Sequence, residues 1–123
     1  NNIFIHNGSA EVIKSIFSIL LNESDTVLIP SPGWSYYKSV ADAKFAKCIT
    51  YEVCEKEDRY EYDLMDLLKK AEECHPKIIV ITSPHMPTGC EIGYGDIEKV
   101  ITENKESVSM VDEAYLGYGY DSN

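Results

Sequence analysis

The chain has 123 residues, enough for one domain with a core and too few for two ordinary ones. Hydrophobic residues make up 44% and charged residues 26%, the balance of a soluble globular protein, and no apolar run approaches the ~20 residues a membrane helix needs. The net charge of −10 excludes the basic surface with which a nucleic-acid binder offsets phosphates.

In chain order, residues 3–6 form a short apolar run, read as a strand, and Asn7-Gly8-Ser9 breaks it. Val12, Ile13, Ile16, Phe17, Leu20 and Leu21 then recur at helical spacing. Ser9 or a neighbour can cap this helix, and Glu11 in its first turn suits the helix dipole. A strand over 26–29 ends at Pro30-Ser31-Pro32-Gly33, and a helix follows over about 35–43. Residues 48–53 read as a strand. Asp63 caps an amphipathic helix carrying Leu64, Leu67, Leu68 and Ala71, which His75-Pro76 stops. The strand over 77–82 carries the longest apolar run, Ile78 to Ile81. A loop over 83–95, a helix over about 96–103 and a strand over 108–111 complete the order βαβαβαβαβ. Alternation of this kind predicts an α/β fold of three layers, with a mostly parallel sheet between helices.

Ligands of such sheets bind beyond the carboxyl ends of the strands. Four punctuated segments fall there: 7–10, 30–34, 83–89 and 112–115. Gly8-Ser9-Ala10 opens a helix, so its backbone N–H groups and the Ser9 hydroxyl make either an anion seat or a plain N-cap. The single tryptophan, Trp34, can lie flat on an aromatic ligand or plug the core beneath its loop. Of Tyr36 and Tyr37, one is expected to face the core and the other the site. Ser83-Pro84-His85-Met86-Pro87-Thr88-Gly89 is a loop whose path two prolines and a glycine constrain. Asp112, at a strand end, can hold a buried cation such as a protonated pyridine nitrogen, or cap the next segment; Tyr115 follows three residues later.

These four pieces, in this order, resemble the large domain of class I/II aminotransferases, the pyridoxal-phosphate enzymes of fold type I (aspartate aminotransferase-like), with the histidinol-phosphate aminotransferase-like branch nearest. The likeness runs from about Gly8 to Tyr118 and is most specific over 83–89 and 111–115. It implies pyridoxal 5'-phosphate as cofactor. By position, Ser9 and the Ala10 backbone resemble the phosphate seat, and Trp34 the aromatic stacked on the pyridine ring. Asp112 resembles the partner of the ring nitrogen, and Tyr115 the donor to the phenolic oxygen. The activity implied is amino-group transfer between an amino acid and a 2-oxo acid. A decarboxylase of a phosphorylated amino acid would share these residues, and a non-catalytic module or regulator on the same fold is the other alternative. A cytoplasmic homodimer is also implied.

Two departures stand out. Met86 occupies the position where the family has an asparagine that donates to the phenolic oxygen, and a thioether cannot donate. Tyr115, alone or with His85, is expected to cover that contact. The family's Schiff-base lysine lies in a later segment, and all ten lysines here precede Asp112. The chain is therefore read as one partial domain over 1–123, a central portion of a longer enzyme, with the small domain and the lysine segment outside it and no catalytic residue within it. Its first residues, Asn1-Asn2-Ile3-Phe4, have no basic region or cleavage site, so no signal peptide is expected. Cys48, Cys54, Cys74 and Cys90 form no C-x-x-C pair and histidine is scarce, so reduced thiols are expected rather than a zinc site.

Overall fold

The computed structural model describes residues 2–119. Among them, the chain forms α1 (Ser9–Leu20), β1 (Thr26–Ser31), α2 (Ser35–Asp42), β2 (Lys47–Lys56), β3 (Arg59–Tyr62), α3 (Leu64–Cys74), β4 (Ile78–Thr82), α4 (Tyr94–Glu103) and β5 (Val108–Asp112). The strands lie in the order β3-β2-β1-β4-β5. β1 pairs in parallel with β2 and β4, β4 pairs in parallel with β5, and β3 is antiparallel to β2.

Strand periodicity divides the core into two layers. Val27, Ile29, Ile78 and Val80 point to one face and pack on Ile13 and Phe17 of α1 and on Tyr37, Val40 and Ala41 of α2. Leu28, Ile79 and Ile81 point to the other and pack on Leu67 and Ala71 of α3 and Val100 of α4. Because β4 is covered on both faces, its whole run is buried, which is why it reads as continuous rather than alternating. The three-layer α/β architecture is as expected.

The element order differs in two ways. Residues 3–6 form no strand: Ile3, Phe4 and Ile5 are exposed and no described strand pairs with them. Apolar residues without a neighbouring ladder leave the backbone to solvent. The opposite error concerns β3. Its sequence, Arg59-Tyr60-Glu61-Tyr62, lacks a buried apolar run, yet it folds back on β2 through a turn at Glu57-Asp58, with Glu57 at φ 55°. The hairpin supplies what propensity does not. The order is thus αβαββαβαβ. Asp63 caps α3 as anticipated, accepting the Asp66 N–H at 3.0 Å, and the helix ends at left-handed His75. The N-cap of α1 is Gly8, at φ 90°, with no side chain capping the helix.

β1 and β4 pair only through Val27–Ile78 and Leu28–Ile79, whereas β1 follows β2 as far as Ser31. Pro30 has no N–H to continue a ladder. Beyond the last pairing, the Val80 carbonyl accepts from Tyr51 Oη at 2.9 Å and the Thr82 carbonyl from Tyr62 Oη. Tyrosine hydroxyls thus replace strand partners where β1 and β4 part. The chain also reverses its winding between these two strands, the switch point at which open α/β sheets bind ligands.

Candidate active site

At the carboxyl ends of β1, β4 and β5 lies a cavity of about 270 Å³, lined by Ser9, Trp34, Tyr37, Thr82, Met86, Asp112, Ala114 and Tyr115. Ser9, Trp34, Met86, Asp112 and Tyr115, singled out in the sequence, are therefore brought together. Ala10 is the next residue of the same helix turn and borders an adjoining surface groove with Asn7, Lys14 and Tyr36.

Each wall has a local cause. Gly8 takes a φ of 90°, a conformation open to glycine, and turns the chain into α1. With no side-chain cap, the first N–H groups of α1 are left to donate outward. Trp34 is held at the start of α2 by a turn in which Gly33 is obligatory: a Cβ there would lie 2.5 Å from the Pro30 carbonyl oxygen. The Trp34 ring stacks on Tyr36 with centroids 4.8 Å apart and meets the edge of Tyr37 at 5.6 Å. Trp34 thus both lines the cavity and packs against the core.

Asp112 ends β5 with both oxygens engaged. Oδ2 accepts from Tyr37 Oη at 2.7 Å, and Oδ1 accepts from the Ala114 N–H at 3.1 Å. The same Tyr37 hydroxyl lies 3.0 Å from Thr82 Oγ1. Burial, reinforced by the Asp112 carboxylate, pushes the Tyr37 phenol well above its ordinary range, so it stays protonated. The expected division of labour between Tyr36 and Tyr37 does not hold. Tyr37 does both jobs, with its ring in the core and its hydroxyl at the site, while Tyr36 borders the surface groove. Tyr37 lies one helical turn after Trp34 and Thr82 immediately precedes the proline-rich loop, spacings that point both at the same strand ends.

His85 does not join Tyr115 at the cavity. It is 2% exposed, and its Nδ1 lies 2.7 Å from Thr88 Oγ1, which in turn donates to Cys90 Sγ at 3.2 Å. Its ring meets Tyr62 edge-on at 5.5 Å. Nε2 is buried without a partner in hydrogen-bond geometry. Burial lowers the His85 pKa; the Pro32 carbonyl acts the other way, favouring a ring proton. The backbone closes the loop through His85 N–H to the Cys90 carbonyl at 2.8 Å and Gly89 N–H to the His85 carbonyl at 2.6 Å. His85 is a fastening of the loop, and Met86 alone of the pair reaches the cavity.

The family model for aminotransferase class I and II matches residues 1–123. The chain belongs to that family. It is 35% identical over 117 residues to a histidinol-phosphate aminotransferase of Thermoanaerobacter sp. (strain X514), covering 95% of this chain and 32% of the relative. The chain thus spans about a third of the length of the curated relatives it matches. Among solved structures, it resembles the PLP-bound C-S lyase from Staphylococcus hominis, with a TM-score of 0.77, 20% identity, and coverage of 90% of this chain and 31% of that one. It also resembles histidinol-phosphate aminotransferase from Sinorhizobium meliloti in complex with pyridoxal-5'-phosphate, with a TM-score of 0.77, 16% identity, and coverage of 88% and 29%. At these identities the structural likenesses speak for the fold. No helix among the described residues is long and apolar enough to cross a membrane.

Proposed function

We propose that these residues are part of the cofactor domain of a pyridoxal 5'-phosphate-dependent aminotransferase, which moves an amino group between an amino acid and a 2-oxo acid. The observation that carries the reading is the Asp112 carboxylate, fixed on both oxygens at a strand end and opening on a cavity walled by Trp34. The cofactor has a charged ring nitrogen, an aromatic face, a phosphate and a phenolic oxygen, and the residues present fit each. Asp112 holds the proton at the ring nitrogen. Trp34 covers one face of the ring and excludes water from it. The Ser9 hydroxyl and the Ser9 and Ala10 N–H groups hold the phosphate at the start of α1, where the helix dipole favours an anion. Tyr115 donates to the phenolic oxygen, and Met86 adds only apolar contact. The cavity's 270 Å³ is near the lower end of small-ligand pockets, roughly 300 Å³. When bound, the cofactor supplies an electron sink for the substrate's Cα.

No lysine lines this cavity. The amine that binds the cofactor covalently comes from a part of the protein outside residues 1–123, as do the groups that select the substrate. The histidinol-phosphate aminotransferase relatives support that branch of the family. The working protein is a cytoplasmic homodimer. Exposed Ile3, Phe4, Ile5 and Leu116 support a surface that the remaining chain or a second subunit covers, and the unpaired cysteines support a reducing compartment.

The test is a cofactor titration of the full-length protein, followed by borohydride reduction and peptide mapping, with an amino-transfer assay alongside. The expected result is saturable binding, amino transfer to a 2-oxo acid, and one modified lysine outside these residues. Absence of binding, or an adduct on one of the ten lysines of this chain, would overturn the reading.

A further inference from the structure

Asp112 does not meet the cavity alone. A phenol has one proton. If Tyr37 donates it to Asp112 Oδ2 at 2.7 Å, its 3.0 Å contact with Thr82 must run the other way, with Thr82 Oγ1 donating. The hydrogen bonds therefore form a directed chain from the Thr82 hydroxyl through the Tyr37 hydroxyl to the carboxylate. Its members come from the end of β4, the first turn of α2 and the end of β5. Tyr37 is 1% and Thr82 4% exposed, so water competes little for either bond. Asp112 is the ionisable group that acts on Tyr37; Tyr37 in turn acts on Tyr51 and Tyr62, both kept protonated chiefly by burial.

Donors to a carboxylate favour its ionised form. In a carboxylate–pyridine pair one proton is shared, and where it resides depends on which partner is more basic. A carboxylate that already accepts from a phenol and a backbone N–H is the weaker base of such a pair. We infer that the Thr82–Tyr37 chain is a positioning device that keeps the Asp112 carboxylate aimed into the cavity, so that the shared proton resides on the ring nitrogen of the bound cofactor. The inference rests on the cofactor reading of this cavity. Tyr37 and Thr82 act on the ring only through Asp112.

The test uses the full-length protein loaded with pyridoxal phosphate labelled with ¹⁵N at the ring nitrogen, in wild type, Tyr37→Phe and Thr82→Val. Phenylalanine keeps the ring that packs on Trp34; valine keeps the shape of threonine. At neutral pH the wild-type ¹⁵N shift should be that of a protonated pyridine. In Tyr37→Phe it should move toward the unprotonated value, and in Thr82→Val it should move less, in the same direction. Amino transfer by Tyr37→Phe should fall about tenfold on pyridoxal phosphate and less than about twofold on an analogue methylated at the ring nitrogen, whose charge needs no proton. Equal losses on both cofactors mean a merely structural role and overturn the inference, as do unchanged ¹⁵N shifts in both variants. If Tyr37→Phe does not fold, Thr82→Val alone decides by its shift. Failure of the wild type to bind the cofactor overturns the cavity reading itself, and this inference with it.

Discussion

Two clefts lie at opposite ends of the same sheet. The one at the amino ends of β1, β4 and β5 is the larger, about 770 Å³, and is lined by Lys69, Lys77, Lys99, Lys105, Glu72 and Glu103 among others. The one at the carboxyl ends measures about 270 Å³. The large cleft carries several solvated charged side chains, and the ion pairs they make lie within single helices, Lys99 with Glu103 at 4.0 Å and Lys69 with Glu73 at 3.9 Å. Such pairs contribute only about 0.3–0.5 kcal/mol and fix little. In the small cavity, by contrast, Asp112, Tyr37 and Thr82 are locked to one another by a buried and a half-buried hydrogen bond that join three different elements. Preorganised polar groups in a partly apolar wall mark a site better than volume does.

Substitutions at the two ends should separate them sharply. Asp112→Asn keeps the shape and removes the charge. In the full-length enzyme it should lower the rate of amino transfer by roughly 10²–10³-fold, the scale of losing a preorganised electrostatic partner. Lys99→Ala at the other end should leave the rate unchanged. A comparable loss from Lys99→Ala would break the comparison. A second substitution tests the frame of the site rather than its chemistry. Gly33→Ala sets a Cβ 2.5 Å from the Pro30 carbonyl, where backbone must yield, whereas a Cβ at Gly95 in α4 meets nothing within 4 Å. Gly33→Ala should cost about 1–3 kcal/mol in urea unfolding and weaken cofactor binding by moving Trp34. Gly95→Ala should be neutral or stabilising by up to ~1 kcal/mol.

The same contrast explains what the sequence could tell. The central strands β1 and β4 were legible because burial on both faces writes a continuous apolar run, as at Ile78 to Ile81. Asp63 was legible because a cap is local chemistry. The hairpin strand β3 was not, since its pairing is set by β2 rather than by its own residues. Ile3, Phe4 and Ile5 misled for the converse reason: they have strand composition and no described strand beside them. At the site, residues at strand ends could be found by position. The bond from Tyr37 to Asp112 spans 75 residues of sequence, a distance over which no spacing rule operates. Of the alternatives at the Met86 contact, Tyr115 alone or with His85, the second fails because the loop turns the His85 ring onto Thr88 and Tyr62, away from the cavity that its neighbour Met86 lines.

That neighbouring pair gives two smaller tests. Met86→Asn adds an amide donor to a wall that now offers a thioether. One hydrogen bond of ~1 kcal/mol corresponds to about fivefold tighter cofactor binding, readable by titration together with a shift of the cofactor's absorption band. If neither changes, the position is of no consequence to the cofactor.

His85 should leave binding alone and affect stability through pH. Its imidazole is buried, with Nε2 lacking a partner, and burial lowers its pKa from the usual 6.5. The folded protein therefore disfavours the proton that the unfolded chain accepts. Wherever the unfolded state binds more protons, stability rises with pH. The contribution of neutral His85 is thus fully present above about pH 6.5 and is lost as the pH falls below it toward the folded-state value. In urea unfolding of the intact protein between about pH 5 and 7.5, His85→Gln should be less stable than wild type at the upper end, having lost the fastening to Thr88. It should also show a flatter decline below about 6.5, because glutamine does not titrate. The difference between the two curves isolates this ring from His6 and His75, which both proteins share. Parallel curves would mean that His85 takes up its proton without cost and that the loop does not depend on a neutral ring.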